Sequence, residues 1–379
     1  MNKTTLLFTS ALTVATAFCA LPATGSEQCQ HASNSGTPAA NLQFKNPVLP
    51  EFHADPEILY SEKTGRYYIY STTDGFPGWG GTYFTCYSSS DLKDWKYEGV
   101  ILDVSTPQVS WANGSAWAPA IEEKRIGDQY KYFFYFSANP NTENGKQIGV
   151  AVADSPTGPF VAPDSPMITE SPTGRGQQID VDVFTDPVSG KSYLYWGNGY
   201  MAGAELNDDM MSIRPETITV MTPKGGTLAD YQFREAPYAA YRDGKYYFFW
   251  SVDDTGSPNY HVAYGTSDSP LGPIKVADEP GILSQKDNIL GPAHNSVLRL
   301  PDTDEWIIVY HRINPAYRDH APGIHREVCT AVAWGCTLYR PSGPPGISVY
   351  LIIKSGLYRR LMHQGASLQA DGQPYRQNQ

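Results

Sequence analysis

A short aromatic strand recurs five times along this 379-residue chain. Its copies are Tyr67–Tyr70, Phe133–Phe136, Tyr193–Trp196, Phe248–Trp250 and Trp306–Tyr310. One position lies about sixteen places before the end of each copy, and it is occupied by Asp55, Ala120, Asp180, Glu235 and His294 in turn. Because four of these five positions carry titratable side chains, the repeat predicts a symmetric ring that gathers those side chains about its axis.

The outer parts of the repeat favour the same architecture. Asp154–Phe160 returns as Asp268–Ile274, and Ser89–Trp95 occupies the corresponding place in the first unit. Turn sequences separate apolar runs that are short enough for strands, and no long helical period interrupts them. Units of roughly 55 to 65 residues with about four strands each are typical of propeller blades. The sequence therefore predicts an all-β fold, a five-bladed β-propeller spanning residues 46–330.

Charge excludes one class of partner. The formal net charge is −11, and no basic cluster occurs in the first 320 residues. Neutralising a nucleic-acid backbone requires such a cluster, so we expect no nucleic-acid partner. Aromatic residues make up 13% of the chain. Most of them suit the interior of strands, while a minority could stack on sugar rings.

The N-terminal segment indicates export. A basic start and an apolar, acid-free run predict a secretory signal peptide over residues 1–25, with a core too short for a confident membrane span. Residues 26–45 are polar and predict a flexible segment. We therefore expect a secreted protein with no membrane partner. Asn113-Gly114-Ser115 forms a glycosylation sequon, and the five cysteines show no spacing that assigns disulfides or a metal site.

The C-terminal segment, residues 331–379, departs from the pattern. No Asp or Glu occurs from Val328 to Ala370, although the rest of the chain is strongly acidic. An altered reading frame, a retained intron or a poorly folded extension would each explain this change. If this change affects the last blade, we expect the ring to close poorly and leave an unpaired strand edge. The stability of the protein would then fall before its catalytic activity.

The three acids at equivalent positions suggest a specific chemistry. Asp55, Asp180 and Glu235 each stand at the start of an apolar strand. Taken singly, an Asp before Pro is a common turn residue, and an acid beside Arg234 can be a plain ion pair. Gathered at one axis, three carboxyl groups cannot all ionise freely, so at least one keeps its proton. Glycoside hydrolysis needs this combination of a carboxylic acid and a carboxylate.

The peptides around these acids resemble glycoside hydrolase family 43. The resemblance is carried by His53–Pro56, Ile179–Asp180 with Val183–Phe184, Arg234–Pro237 with Lys245–Tyr247, and Ala116–Pro119. It covers residues 46–329 and is similar to members with β-xylosidase and α-L-arabinofuranosidase activity. The resemblance implies a five-bladed propeller that inverts anomeric configuration. It implies Asp55 as general base, Glu235 as general acid, and Asp180 as the residue that tunes and orients Glu235.

The same resemblance implies roles for further residues. His294 matches the axial histidine that approaches a central cation, often calcium, through water; a hydrogen-bonded core histidine is the alternative. Arg326 matches an arginine that reaches the sugar and an acidic partner, with an exposed ion pair as the alternative. Trp117 and Trp79 are candidate stacking walls for the substrate. No cofactor is expected for the chemistry itself, and a structural calcium ion at the axis is an expectation.

Three functional hypotheses stay open. The first is a secreted, monomeric enzyme that removes arabinofuranosyl or xylosyl residues from plant cell-wall polysaccharide or oligosaccharide. The second is another propeller hydrolase, an endo-arabinanase or a fructosyl-type enzyme. The Arg-Asp-Pro and Glu-Cys-Pro segments that are usual in the fructosyl enzymes are missing from the sequence. The third is a sugar-binding propeller without catalysis, which would not need acids at equivalent inner positions.

Overall fold

Five small antiparallel sheets make up the structure, a computed structural model that describes residues 44–141, 145–223, 232–287, 289–317 and 326–334. Within these residues, blade 1 contains β1 (His53–Ser61), β2 (Arg66–Thr73), β3 (Tyr83–Ser89) and β4 (Lys96–Asp103). Blade 2 contains β5 (Ala112–Ile126), β6 (Gln129–Pro140) and β7 (Gln147–Ala153). Blade 3 contains β8 (Asp182–Thr185), β9 (Ser192–Trp196), β10 (Ala202–Glu205) and β11 (Thr219–Val220). Blade 4 contains β12 (Glu235–Arg242), β13 (Lys245–Val252), β14 (His261–Ser267) and β15 (Lys275–Leu283), and blade 5 contains β16 (Leu290–Arg299), β17 (Trp306–Ile313) and β18 (Arg326–Trp334).

The first strand of each blade faces a common centre. These five inner strands contact one another in cyclic order, β1 with β5, β5 with β8, β8 with β12, β12 with β16, and β16 with β1. Each blade then runs outward by antiparallel hairpins in sequence order. This arrangement is a five-bladed β-propeller, so the predicted all-β propeller fold is confirmed.

The recurring aromatic strands fill the spaces between blades. Successive side chains of a strand point to opposite faces, and both faces of these blades are covered. On β6, Phe134 and Phe136 pack in a cluster with residues of blade 1, whereas Phe133 and Tyr135 pack in a cluster with residues of blade 3. Three further clusters occupy the interfaces of blades 3 and 4, 4 and 5, and 5 and 1. Burial on both faces explains why these strands are continuously apolar instead of alternating.

The segment before β1 pairs with the last described strand. The Val48 N–H donates to the Val328 carbonyl at 2.9 Å. The Asn46 amide bonds both the N–H and the carbonyl of Thr330, at 2.9 and 3.1 Å. Leu49 lies in the cluster between blades 5 and 1, together with Val328. Blade 5 is therefore joined to the N-terminal segment, and blades 1 and 5 meet through β1 and β16.

Several sequence predictions concern residues outside the described ranges. They are the signal peptide at 1–25, nearly all of the flexible segment at 26–45, and residues 335–379 of the atypical C-terminal segment. Cys86 and Cys329 are buried and form no disulfide among the described residues, whereas Cys29 and Cys336 fall outside the description. In the part of the chain that is described, no helix has the length and apolar character needed to cross a membrane.

Candidate active site

Each blade has a residue with left-handed backbone near the axial end of its inner strand. These residues are Asp55, Ala118, Asp180, Ala236 and His294, with φ of 49°, 45°, 59°, 55° and 44°. Register shifts in the pairing of β1, β5, β12 and β16 accompany them. Such bulges re-aim side chains, and they are common next to active sites.

This geometry corrects two of the predicted equivalences. In blade 2 the axial position belongs to Ala118, not to Ala120, because the bulge shifts the register between Trp117 and Ala120. In blade 4 it belongs to Ala236, and Glu235 comes one residue earlier. The sequence repeat therefore located the acids to within one residue of the structural equivalence, but it could not place the bulges.

The carboxylate of Asp55 is stabilised by a hydrogen bond and by an ion pair. Its Oδ2 accepts a 2.7 Å hydrogen bond from the Thr72 hydroxyl, and its Oδ1 lies 3.0 Å from His294 Nδ1. Burial acts to raise the pKa of Asp55, but the charge and hydrogen bond of His294, with smaller contributions from His311, outweigh it and hold the pKa well below its usual range. Asp55 is therefore ionised at ordinary pH.

Asp180 connects the axis to the neighbouring acid. Its buried Oδ2 accepts the backbone N–H of Ala236 at 3.1 Å and lies 3.8 Å from His294 Nδ1. Burial raises its pKa well above the usual range, and His294 only partly offsets this, while the charges of Glu235 and Asp55 add to it. The contact with Ala236 fixes the backbone directly after Glu235.

Glu235 is a buried carboxyl group with two neutral donors. The Tyr260 hydroxyl donates to Oε1 at 2.8 Å, and the Asn198 amide donates to Oε2 at 2.6 Å. Burial raises the pKa of Glu235, and the Tyr260 bond and the His294 charge oppose this without cancelling it. Arg234, the ion-pair partner considered above, approaches only to 3.9 Å and is half exposed. Glu235 is thus disposed to hold a proton while Asp55 is ionised.

Sequence reasoning missed Tyr260 and Asn198. Tyr260 lies in the loop before β14, and Asn198 lies in a Gly-Asn-Gly turn after β9. Neither residue belongs to the repeating pattern, so the repeat could not predict that they contact Glu235.

His294 supplies the positive charge at the axis. Burial alone would lower its pKa, but the neighbouring carboxyl groups, Asp55 first and then Asp180 and Glu235, raise the pKa to about 9. The described residues include no group of three His, Cys, Asp or Glu side chains arranged to hold a metal ion. Nδ1 of His294 is engaged with Asp55, and the water-mediated approach of His294 to a calcium ion stays a prediction.

The two candidate stacking residues are linked to each other and to the base. Trp117 Nε1 donates to the Trp79 carbonyl at 2.7 Å, and Trp79 is 37% exposed. The N–H of Ala118, next to Trp117, donates to the Thr72 hydroxyl that bonds Asp55. The buried Lys146 places its Nζ 3.4 Å from the centroid of the Trp117 ring. The two tryptophans thus stand beside the blade 1 side of the axis.

Arg326 forms a buried ion pair, not the exposed pair considered as an alternative. Its Nη1 lies 3.3 Å from Asp74 Oδ2, and both side chains are almost fully buried. Its Nη2 donates to the hydroxyl and the carbonyl of Thr255 at 2.8 and 3.1 Å. Burial raises the pKa of Asp74 to about 6 despite the opposing charge of Arg326. Arg326 thereby joins blades 5, 1 and 4, and the acidic partner expected for it is present.

The site therefore places two carboxyl groups around one imidazolium, with the pKa of Asp55 lowered and the pKa of Glu235 raised. The model of a known protein family, described as glycosyl hydrolases family 43, matches residues 44–334. The chain belongs to glycosyl hydrolase family 43. This confirms the family that the sequence motifs resemble, and it makes the protein a glycoside hydrolase.

Individual members of family 43 show how broad the likeness is. The chain is 32% identical over 300 residues to the β-D-galactofuranosidase xynD of Aspergillus niger, covering 75% of this chain and 81% of that protein. It is 28% identical to the arabinoxylan arabinofuranohydrolase of Bacillus subtilis, covering 74% of this chain and 60% of that protein. A crystal structure of a thermostable family-43 glycoside hydrolase superposes with a TM-score of 0.66 at 27% identity, covering 81% of this chain and 100% of that one.

Proposed function

We propose that this family-43 enzyme removes α-L-arabinofuranosyl or β-xylosyl residues from plant hemicellulose or its oligosaccharides with inversion of configuration. The observation that carries the proposal is the opposite displacement of two carboxyl pKa values around His294, down for Asp55 and up for Glu235. An inverting glycosidase needs one carboxylate to activate water and one carboxylic acid to protonate the leaving oxygen.

The roles follow from the protonation states. The Asp55 carboxylate accepts a proton from water as the water attacks the anomeric carbon. Glu235 gives its proton to the glycosidic oxygen as the bond to the leaving group breaks, and Tyr260 and Asn198 orient its two oxygens. Asp180 holds the backbone of Ala236 and thus the position of Glu235. After one turnover Glu235 is ionised and Asp55 is protonated, and solvent restores both.

Aryl glycosides with different leaving groups test these roles. Asp55→Asn should lose about 10³-fold or more in kcat on all α-L-arabinofuranosides and β-xylosides, because activation of water is always required. Glu235→Gln should lose a similar factor on a poor leaving group but much less on dinitrophenyl glycosides, which depart without protonation. Proton NMR of the first product should show the inverted anomer. Wild-type activity in both variants, or a retained anomer, would refute the assignment.

A second candidate substrate is a β-D-galactofuranoside. The similarity to xynD of Aspergillus niger favours it, and β-D-galactofuranose has the same ring stereochemistry as α-L-arabinofuranose, differing in the exocyclic carbons. Parallel assays on nitrophenyl β-D-galactofuranoside, α-L-arabinofuranoside and β-xyloside rank the three substrates by kcat/KM. A product profile on arabinoxylan and linear arabinan separates exo from endo cutting.

We also propose that the enzyme acts outside the cell as a monomer. The basic start and apolar run of residues 1–25 support export, and a polysaccharide substrate requires an accessible enzyme. N-terminal sequencing of the protein from the culture medium, with size-exclusion chromatography coupled to light scattering, tests both points.

A further inference from the structure

The five left-handed residues at the axis have backbone N–H groups with side-chain acceptors. In four cases the acceptor lies on the preceding blade, at the end of its second strand. Thr72 Oγ1 accepts from Ala118, Ser137 Oγ from Asp180, Ser251 Oγ from His294, and His311 Nδ1 from Asp55, at 2.8, 3.2, 3.1 and 3.0 Å. We refer to Thr72, Ser137, Ser251 and His311 as the clasp residues.

The clasp residues occupy one equivalent register position. Each pairs with the residue directly before the left-handed residue of its own blade: Thr72 with Ala54, Ser137 with Trp117, Ser251 with Glu235, and His311 with Ala293. The four hydrogen bonds therefore recur around the ring because the four blades share this strand register. A left-handed backbone is unfavourable for residues other than glycine, so a fixed acceptor for the N–H helps to hold it.

Blade 3 has no side-chain acceptor at the clasp position. Its equivalent residue is Gly197, whose N–H bonds the Ile179 carbonyl and which has no side chain to offer. The N–H of Ala236 instead takes Asp180 Oδ2. Where the clasp residue is missing, a residue assigned to catalysis takes over its bond.

His311 differs from the other clasp residues in chemistry. Its imidazole is fully buried, stacks on the Tyr260 ring at 5.7 Å between centroids, and has Nδ1 3.2 Å from Asp55 Oδ1. Its Nε2 is buried, and no hydrogen-bond partner for it occurs among the described residues. If Nδ1 accepts the Asp55 N–H, the proton of the neutral ring is on Nε2. Each tautomer of the neutral ring leaves one N–H without an acceptor among the described residues, the Nε2–H in this one and the Asp55 N–H in the other. The other tautomer would direct Nδ1–H at Asp55 Oδ1, 3.2 Å away, whereas the Asp55 N–H lies closer to Nδ1, at 3.0 Å, which favours Nδ1 as the acceptor.

We propose that His311 is the positioning residue of the catalytic base, acting as a neutral imidazole whose Nδ1 accepts the Asp55 N–H and holds Asp55 in its left-handed conformation. This inference rests on the proposed role of Asp55. It adds a residue on β17 to a site whose acids all come from the starts of inner strands. The His311 ring also stacks on Tyr260, a contact that a small hydroxyl residue at this position would not make.

The surroundings keep the imidazole neutral. Asp55 on β1 faces it from one side, His294 on β16 lies 6.0 Å away between ring centroids, Tyr260 stacks on it, and Arg326 on β18 adds a second positive charge. Burial lowers the pKa of His311 to about 4, with Arg326 and His294 contributing, while Asp55 acts in the opposite direction. The acceptor nitrogen is therefore available throughout the range in which Asp55 works as a base.

Two substitutions of equal shape test the proposal. His311→Thr installs the hydroxyl that Thr72 uses at the equivalent position, whereas His311→Val has the same shape and no acceptor. A misplacement of about 1 Å costs about 100-fold in rate, so we expect His311→Val to lose about 100-fold in kcat with little change in KM. His311→Thr should recover at least about 10-fold of that loss. Tyr310→Phe, on the same strand but facing blade 4, is the matched control and should keep wild-type kcat.

The results for Asp55 and His311 variants distinguish the proposed function from the proposed role of His311. If Asp55→Asn stays active, the proposed function fails. If Asp55→Asn is inactive while His311→Val keeps wild-type kcat, or if Thr and Val are equally impaired with unchanged melting temperatures, the role of His311 is refuted. Should both variants fail to fold, ¹⁵N NMR of the wild-type histidines decides. We expect an unprotonated Nδ1 and a protonated Nε2 on His311, and a protonated Nδ1 would overturn the proposal.

Discussion

Two groups of buried carboxyls lie on the inner strands, and only one of them is arranged for catalysis. The axial group is Asp55, Asp180 and Glu235, and the lower group is Glu57, Asp182 and Glu122, further along β1, β8 and β5. Burial raises the pKa of all three lower carboxyls, well above the usual range for Glu57 and Asp182 and to about 7 for Glu122. In the axial group, His294 holds the pKa of one carboxyl down while the other two stay raised.

The difference teaches what an active site needs beyond acids at equivalent positions. The lower carboxyls raise one another's pKa, and the cation near them, Lys124, only partly offsets the burial of Glu122. They therefore shift together toward the neutral form, as packing groups do. A single buried imidazolium beside Asp55 separates protonation states that burial alone would make alike.

Removing that imidazolium should make the axial group resemble the lower one. In His294→Gln the pKa of Asp55 should rise, since the largest contribution that opposes burial is lost. Less base is then ionised at a given pH, so the acid limb of kcat/KM moves to higher pH and activity falls by about 10²- to 10⁴-fold. His261→Gln, a histidine on β14 away from the axis, should change neither. An unmoved acid limb in His294→Gln would show that His294 does not set the pKa of Asp55.

The Asp74–Arg326 pair offers a third case, a buried carboxyl with a permanent cation. Arg326→Met leaves Asp74 buried without its partner and should lower the free energy of unfolding by about 3–5 kcal/mol at pH 7. The loss should be smaller below the pKa of Asp74, about 6, where the carboxyl is protonated. Chemical denaturation at pH 5 and pH 7 measures both. The double variant with Asp74→Leu should regain most of the loss, and equal instability of the double variant would rule out an unpaired carboxylate as the cause.

The lower group should affect stability in the opposite pH direction from an ordinary salt bridge. Glu122 has its pKa raised from 4.5 to about 7 in the folded protein. The folded state therefore holds a proton that the unfolded state has lost, and stability falls as pH rises from about 4.5 to about 7. Glu122→Gln should remove the part of this decline that Glu122 causes and stabilise the protein at pH 8 by about 1–2 kcal/mol, allowing for the partial exposure of the side chain.

The control for the lower group is Glu216→Gln. Glu216 is exposed and remote from the axis, so its substitution should leave the pH dependence of stability unchanged. A Glu122→Gln protein whose stability still declines like the wild type between pH 5 and pH 8 would contradict the raised pKa.

The smallest effect is expected at the pocket wall. Burial lowers the pKa of Lys146 to about 7, so its cation–π contact with Trp117 is fully charged only below that pH. Lys146→Met keeps the length of the side chain without the charge and should raise KM about two- to five-fold at pH 6, since such contacts contribute about 0.5–1 kcal/mol. At pH 8 the variant and the wild type should have similar KM values. An equal KM difference at both pH values would mean that packing, not charge, supports Trp117.

The sequence predicted those features that depend on local, repeated patterns. The aromatic second strands are continuous in the chain and buried on both faces, so five blades and the approximate places of Asp55, Asp180 and Glu235 could be predicted. The bulges at Ala118 and Ala236 could not, because backbone geometry shifts the register by one or two residues without a change of pattern. Glu57 and Asp182 each lie two residues after an axial acid in the sequence. The sequence does not show which of these carboxyl groups has a cation beside it.

The sequence repeat also could not predict the site residues that come from second strands and loops. Tyr260 and Asn198 reach Glu235 from loops of blades 4 and 3, and His311 reaches Asp55 from the far side of the ring closure, 256 residues away in sequence. Of these contacts, the one between His311 and Asp55 depends on closure of the ring, because it joins blade 5 to blade 1. The importance of His311 could be recognised only from the structure, which shows that Thr72, Ser137 and Ser251 occupy the same strand register.

The central claim is that one imidazolium keeps Asp55 ionised while Glu235 holds a proton at the same pH. A ¹³C NMR titration of the Asp and Glu carboxyl carbons, assigned with Asp55→Asn, Asp180→Asn and Glu235→Gln, tests it directly. The account predicts that the Asp55 signal titrates below 3.8 and the Glu235 signal above 4.5. A Glu235 carboxyl that ionises at lower pH than Asp55 would contradict it.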